Sequence, residues 1–408
     1  LPRASLTHDL PMGWSLFSVD SPPLSSCGWP LRAADFITFG MTRWEIGKTL
    51  KPQQHSGSFY PSNCGSTPRL NFLGNKRRPA LVFFAGFLLC FALTLPQVSA
   101  ASEPMWVENL SPLAGLVGLP PQRAAQQASG WHIDTHLAVA SHFVAAEDDS
   151  DSVIFDGETV RYSLALEYGW QKDWSLRLTV PWVSHSAGFL DSSINSWHKT
   201  FGLSDGGRAA FPQDQFRYQY SNASYEVSQF DEGGSMGDIR LELNRSLFQD
   251  ADRAAALTLG YKAATGDTQH FTGSGAEDVF ATFRYSAKEL WQLPVSWHAQ
   301  AGYTWVGTSK LLGPNQRHGL WFAGLGVDWR IAQRWSLLAQ FDSHSGLLNS
   351  PVAALGKTSG LLSFGLRFSP NRSWMFAVGV IEDIIVETAP DVTFQASLRW
   401  RPTSPTSN

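Results

Sequence analysis

Residues 160–182, VRYSLALEYGWQKDWSLRLTVPW, decide the fold of this chain. Val160, Tyr162, Leu164, Leu166, Tyr168 and Trp170 are apolar, while Arg161, Ser163, Ala165, Glu167 and Gly169 between them are small or charged. After Gln171-Lys172-Asp173 the alternation resumes, with Trp174, Leu176, Leu178, Val180 and Trp182 set against Ser175, Arg177 and Thr179. A period of two interrupted by a short polar turn predicts a β-hairpin with one apolar and one polar face. Each strand has about the 9–11 residues that cross a bilayer at a tilt, more than the usual five or six. Aromatics collect at the strand ends, where a membrane interface places them. One hairpin alone also suits a soluble sandwich, so the remaining sequence must choose between lipid and water.

The same alternation recurs at 131–139, 239–243, 257–263, 279–285, 295–305, 321–331, 335–341, 362–368, 374–380 and 392–400. With the first hairpin this makes about twelve strands, an even number as single-chain bacterial barrels require. Connections alternate in length. Short ones fall at 171–173, 248–253, 332–334 and 369–373, with 287–294 a little longer. Long ones fall at 145–158, 183–236, 266–276, 307–318, 345–358 and 382–391. Short periplasmic turns and long outer loops are the pattern of an outer-membrane barrel. Trp174, Trp335 and Trp374 each follow a short turn directly, as an aromatic girdle on one rim would require. The prediction is an all-β, antiparallel transmembrane barrel of about twelve strands.

Composition agrees. Charged residues make up 16% of the 408, below the usual quarter, and there are 17 tryptophans. Residues 80–95, ALVFFAGFLLCFALTL, follow Lys76-Arg77-Arg78 and precede Pro96-Gln97-Val98-Ser99-Ala100. A basic region, a short apolar run and a small-residue site read as a signal peptide spanning 76–100 and cut after Ala100, against the alternative of a retained anchor. Residues 1–75 show no sustained periodicity and receive no function; they are either an extension or a start assigned too far upstream. Cys27, Cys64 and Cys90 all precede the cut, which leaves the exported chain no thiol chemistry. Beyond residue 100 there are 22 Lys and Arg against 31 Asp and Glu, a charge near −9 that disfavours nucleic acid. Residues 101–130 carry Pro112, Pro120 and Pro121 and read as a periplasmic lead-in or as a segment tucked into the barrel. The barrel occupies 131–401 and a tail 402–408.

Parity assigns an inward face to His132, Asp134, His136, Arg161, Glu167, Arg177, Arg240, Glu242, Lys262, Arg284, Asp328, Arg330, Asp342, Arg367 and Arg399. These either pair into a structural plug or line a selective pore, and about twelve strands lie between the filled and open sizes. In the longest loop Ile194, Trp197 and Phe201 recur at helical spacing before Gly202, as a short lid or packing helix would. Residues 214–232 alternate aromatic and polar positions, as strands extended above the membrane would. Asp342-Ser343-His344-Ser345 sets His, Ser and Asp at a strand's outer end. A lipid hydrolase needs its His and Ser on one face, whereas adjacent His344 and Ser345 point to opposite faces. The acidic run 147–151 lacks the spaced ligands and glycine of a calcium loop, so neither a metal nor a cofactor is expected.

Several pieces resemble a family of Gram-negative outer-membrane proteins known only as a domain of unknown function. They are Asn109-Leu110-Ser111-Pro112-Leu113 with Gly118-Leu119-Pro120, Asp156-Gly157-Glu158-Thr159, Trp197-His198 with Phe201-Gly202-Leu203, Gln340-Phe341-Asp342-Ser343-His344, and Glu382-Asp383-Ile384 leading into 388–394. The resemblance spans roughly 103–401. It implies an outer-membrane barrel and supplies no activity. The expected function, by analogy of fold, is a channel or uptake porin for a small solute, seated in outer-membrane lipid. The alternatives are a lipid hydrolase around His344 and Ser345, and a plugged structural or surface-recognition barrel.

Overall fold

Alternating strands bury one face against whatever fills the interior and present the other outward. In the computed structural model that face closes on itself. The structure describes residues 103–402 apart from 128, 172, 191, 193–195, 197–211, 289–292 and 386. The strands are β1 (Gly130–Glu147), β2 (Asp151–Trp170), β3 (Trp174–Ser186), β4 (Arg217–Asn222), β5 (Tyr225–Gln229), β6 (Gly233–Met236), β7 (Arg240–Gln249), β8 (Arg253–Lys262), β9 (Asp278–Ala287), β10 (Val295–Val306), β11 (Gly319–Ala332), β12 (Trp335–His344), β13 (Ser359–Phe368), β14 (Trp374–Asp383) and β15 (Val392–Trp400). β1, β2, β3 and β7 to β15 form twelve antiparallel staves, and β1 closes the ring on β15 from Ile133↔Trp400 to Ser141↔Val392. The founding hairpin pairs β2 with β3 from Trp170↔Trp174 up to Glu158↔Ser186, with Leu166 opposite Leu178 and Glu167 opposite Arg177.

The two faces separate cleanly. On β2, Arg161, Ser163, Ala165 and Glu167 are buried, while Tyr162 and Tyr168 are exposed. Leu178, Leu243, Leu259, Leu325, Phe364 and Val378 on other staves are likewise exposed. So continuous an apolar outer surface is far too large for a water-soluble monomer and fits lipid. Tryptophans frame it. Trp174 and Trp182, Trp297 and Trp305, and Trp321 and Trp329 each stand eight residues apart on one strand. Eight residues rise about 26 Å. At a tilt of about 40° that spans about 20 Å, close to the apolar band of an outer-membrane barrel. At the periplasmic rim, Trp131 packs on Tyr168 at 4.8 Å, Trp335 on Phe368 at 4.6 Å and Trp374 on Trp400 at 6.2 Å between ring centroids.

Three expectations change. Residues 145–158 are not a long loop: β1 and β2 continue above the membrane to a turn at 148–150, paired as far as Glu147↔Ser152. Backbone hydrogen bonds sustain the ladder where lipid no longer imposes alternation. Residues 183–236 are not all loop: β4 and β5, within the 214–232 stretch expected to extend the strands, form a hairpin on the outer part of β2, and β6 pairs with the end of β3. Third, the segment read as a periplasmic lead-in runs inside the barrel. Met105, Trp106, Val107, Leu110, Leu113, Leu116 and Val117 are buried there. The proposed lid residues Ile194, Trp197 and Phe201 lie outside the described residues, as does the signal peptide.

Candidate functional site

A lumen too wide to be filled by wall side chains needs another occupant, and residues 103–127 supply it as an ascending and descending hairpin. The ascending arm starts at the periplasmic end, where the Glu103 carboxylate meets Arg399 and Arg401 and its carbonyl accepts from Arg367. Higher up, Met105 and Gln340 exchange hydrogen bonds, with the Met105 N–H donating to Gln340 Oε1 at 2.9 Å. Gly365 and Gly379 face each other on β13 and β14, and a Cβ at Gly365 would lie 2.5 Å from the Met105 sulfur. Glycine is used in these strands because a second backbone comes this close.

Trp106 stacks on His136 at 5.1 Å with the Arg177 guanidinium over its indole. Its Nε1 donates to Glu108 at 3.0 Å. The Glu108 carboxylate sits between Arg240 at 2.6 Å and Arg161 at 3.3 Å. Asn109 Nδ2 reaches His344 Nε2 at 3.0 Å near the outer end. The apex, around a turn of 3-10 helix at Ala114–Leu116, buries Leu113, Leu116 and Val117 among Phe155, Tyr218, Tyr220 and Leu348.

The descending arm has its own anchors. The Gly118 N–H donates to Asp278 at 2.8 Å, and the Leu119 carbonyl accepts from Arg240 at 3.1 Å. Gln122 donates to Asp342 at 2.8 Å. Arg123 bridges Glu167 at 2.5 Å and Glu242 at 2.7 Å. The Ala124 carbonyl accepts from Arg284, the Ala125 N–H donates to Ser286 Oγ, and Gln127 pairs with Gln249 at the periplasmic turn. Between the arms and β11–β12 lies a cavity of about 50 Å³ bordered by Glu108, Arg161, Arg240, Gln300, Asp342 and His344. That holds a few waters and no sizeable solute. At this level the plug fills the lumen.

The residues assigned inward by parity fall into distinct groups. Asp134, Arg177, Glu167 and Arg399 form one periplasmic network with Arg123 and Glu103, in which Arg177 lies 2.6 Å and Arg399 2.6 Å from Asp134. His132 borders this network. Arg367 pairs with Asp328. Lys262 binds Asp238 at 2.6 Å and Asp278 at 3.4 Å near the outer end. Arg284 donates to Asn244 at 2.8 Å, and His136 meets Gln395 at 2.9 Å. Arg161, Arg240 and Glu242 meet the plug as above. Arg330 keeps the inward parity of β11 between exposed Trp329 and Ile331 but is only half-buried, at the strand's periplasmic end just before a bulge in the β11–β12 ladder.

The His–Ser–Asp cluster does not assemble as an acid–base pair. His344 Nδ1 faces the Ser345 carbonyl at 2.9 Å while its Nε2 faces Asn109, and Asp342 is held by Gln122 and Gln340. His344 and Ser345 are buried inside the barrel, away from lipid. The residues that sequence reading missed are Glu103, Trp106, Glu108, Asn109 and Arg123. The available signal was isolated charges within an otherwise apolar and small-residue stretch.

Arg123→Ala leaves the buried Glu242 without its ion-pair partner and Glu167 with Arg177 alone. Breaking such a pair costs about 3 kcal/mol, less whatever the partial exposure of Arg123 returns. Amides of 103–127 are expected to exchange up to about a hundredfold faster in deuterium exchange, with the staves unchanged. Equal exchange would remove Arg123 as a latch.

The fold and site together define a class: an outer-membrane β-barrel of twelve strands whose lumen is filled by its own amino-terminal hairpin. By its family model, matched over residues 88–401, the chain belongs to the family described as Protein of unknown function (DUF3187). No curated protein matches it. Among solved structures it is similar to an outer-membrane channel of Pseudomonas putida F1 (13% identity, 67% of this chain and 95% of that one, TM-score 0.43). It is also similar to the NanC porin (8%, 67% and 100%, TM-score 0.38) and to the P. putida toluene transporter TodX (11%, 75% and 97%, TM-score 0.35).

Proposed function

We propose that the protein is a gated outer-membrane channel for a small solute, in which residues 103–127 are the gate. The carrying observation is how the lumen is filled. The plug is a separate stretch of chain, joined to the barrel at β1 and held along the wall by ion pairs and hydrogen bonds, with apolar packing concentrated at its apex around Leu113, Leu116 and Val117. Polar latches of this kind can be re-made with water or with a solute once the lumen is wet, which apolar contacts cannot. Planar-bilayer recording of the intact chain tests the reading. Brief openings to steps of fixed size are expected; a folded chain that never conducts would make it a structural barrel.

The same reading includes export through residues 76–100 with cleavage after Ala100. Cleavage there would free the plug's first residue only two positions before Glu103, leaving the ascending arm tethered by contacts alone. Amino-terminal sequencing of the protein from outer membranes is expected to read Ala-Ser-Glu-Pro-Met-Trp. A start upstream of residue 80 would rule out the cut.

A further inference from the structure

From the surroundings of Glu108 we infer that the channel's solute carries a carboxylate, and that Arg161 and Arg240 are its binding site. The inference rests on the channel reading above. Arg161 on β2 and Arg240 on β7 flank β3 on one wall of the lumen. Both are buried, at 7% and 3% exposure. Their charged groups contact only the plug among the described residues: Glu108 for both, the Gly115 carbonyl for Arg161 and the Leu119 carbonyl for Arg240. Among the described residues no wall carboxylate lies within ion-pair distance of either one; Glu242, also on β7, is held by Arg123. Arg177 and Arg399, by contrast, have Asp134 on the wall, Arg367 has Asp328, and Arg284 has the neutral Asn244.

When the plug withdraws, Glu242 loses Arg123, Arg177, Arg399 and Arg367 keep wall carboxylates, and Arg161 and Arg240 lose Glu108 together and stand as two adjacent guanidiniums. Such a pair in a narrow, partly dehydrated lumen demands an anion, and guanidinium geometry favours carboxylate. The plug already supplies one. Glu108 is ion-paired with Arg240 at 2.6 Å and with Arg161 at 3.3 Å, and it accepts from Trp106 Nε1 at 3.0 Å. It thus stands where a solute carboxylate would stand, beside a water-sized cavity bordered by both arginines. Arg240 Nε, buried without a hydrogen-bond partner, is a further donor available there. Solute and gate then compete for one site, so that the solute itself favours the open state.

The test uses the full chain in planar bilayers under a KCl gradient. Openings of the Glu108→Gln chain are expected to reverse near the chloride equilibrium potential, and adding Arg161→Gln with Arg240→Gln is expected to abolish that preference. In the wild-type chain, sodium succinate at constant ionic strength is expected to raise the open probability several-fold, with no effect in the Arg161→Gln/Arg240→Gln chain. Should Glu108→Gln fail to fold, the succinate response of the wild-type chain decides alone. Steps that show no anion preference, or no succinate response, overturn this inference and leave the channel standing. A chain whose heat-modifiable mobility shows a folded barrel but which never conducts removes both.

Discussion

A chain lacking residues 103–127 is expected to give large, long-lived conductance steps where the intact chain opens only briefly. Every stave-to-stave ladder, including the β1–β15 closure, is made without this segment, so the ring retains its hydrogen bonds. What is lost is the lumen's filling. About eight strands enclose an interior that side chains fill, and 16–18 enclose an open channel. Twelve strands lined by Ser163, Ala165, Gly324, Gly365 and Gly379 leave a gap that, among the described residues, the plug spans. The open fraction should rise from the roughly 0.1–10% of a minor state to nearly all of the time. The outer apolar cluster around Tyr218 and Leu348 loses Leu113, Leu116 and Val117, so a modest fall in unfolding stability should accompany the opening.

The second large effect concerns the outer face. Leu178→Arg is expected to lower stability by about 2–4 kcal/mol in phospholipid vesicles, as a cation at the bilayer midplane does. Leu178 stands midway between Trp174 and Trp182 and is 38% exposed. On a water-facing sheet an equally exposed leucine tolerates the change within about 0.5 kcal/mol. Denaturant unfolding of the folded barrel from vesicles measures the difference, and an unchanged midpoint would contradict a lipid-facing Leu178.

The barrel was legible in the sequence because lipid on one side and a polar lumen on the other enforce alternation at every membrane residue. Residues 160–182 carry that constraint almost without exception. It lapses above the bilayer, which is why 145–158 resembled a loop although the β1–β2 ladder continues through them. Parity placed Arg161, Glu167 and Arg177 on the inner face but could not name their partners, which come from staves and plug distant in sequence. The plug itself was the least legible part. It bonds mainly through side chains to many different staves, a geometry that imposes no period on its residues. Glu108 and Arg123 acquire meaning only once Arg161, Arg240, Glu167 and Glu242 are known to surround them. His344 and Ser345 show the converse: a suggestive cluster in sequence whose hydrogen bonds go to Asn109 and a carbonyl.

The gate is tested most directly by locking it. A Cβ at Gly118, at the top of the plug's descending arm, would lie 3.2 Å from the Asp278 Cβ on β9, a few tenths of an ångström inside the spacing of about 3.5–4.5 Å that a disulfide spans. Beyond residue 90 the chain has no cysteine of its own. Single-channel recording of the full chain carrying Gly118→Cys and Asp278→Cys should therefore show no openings when oxidised and restored openings after reductant. Openings of equal size and frequency in the oxidised and reduced chains, or none in either, would contradict a plug that gates the lumen.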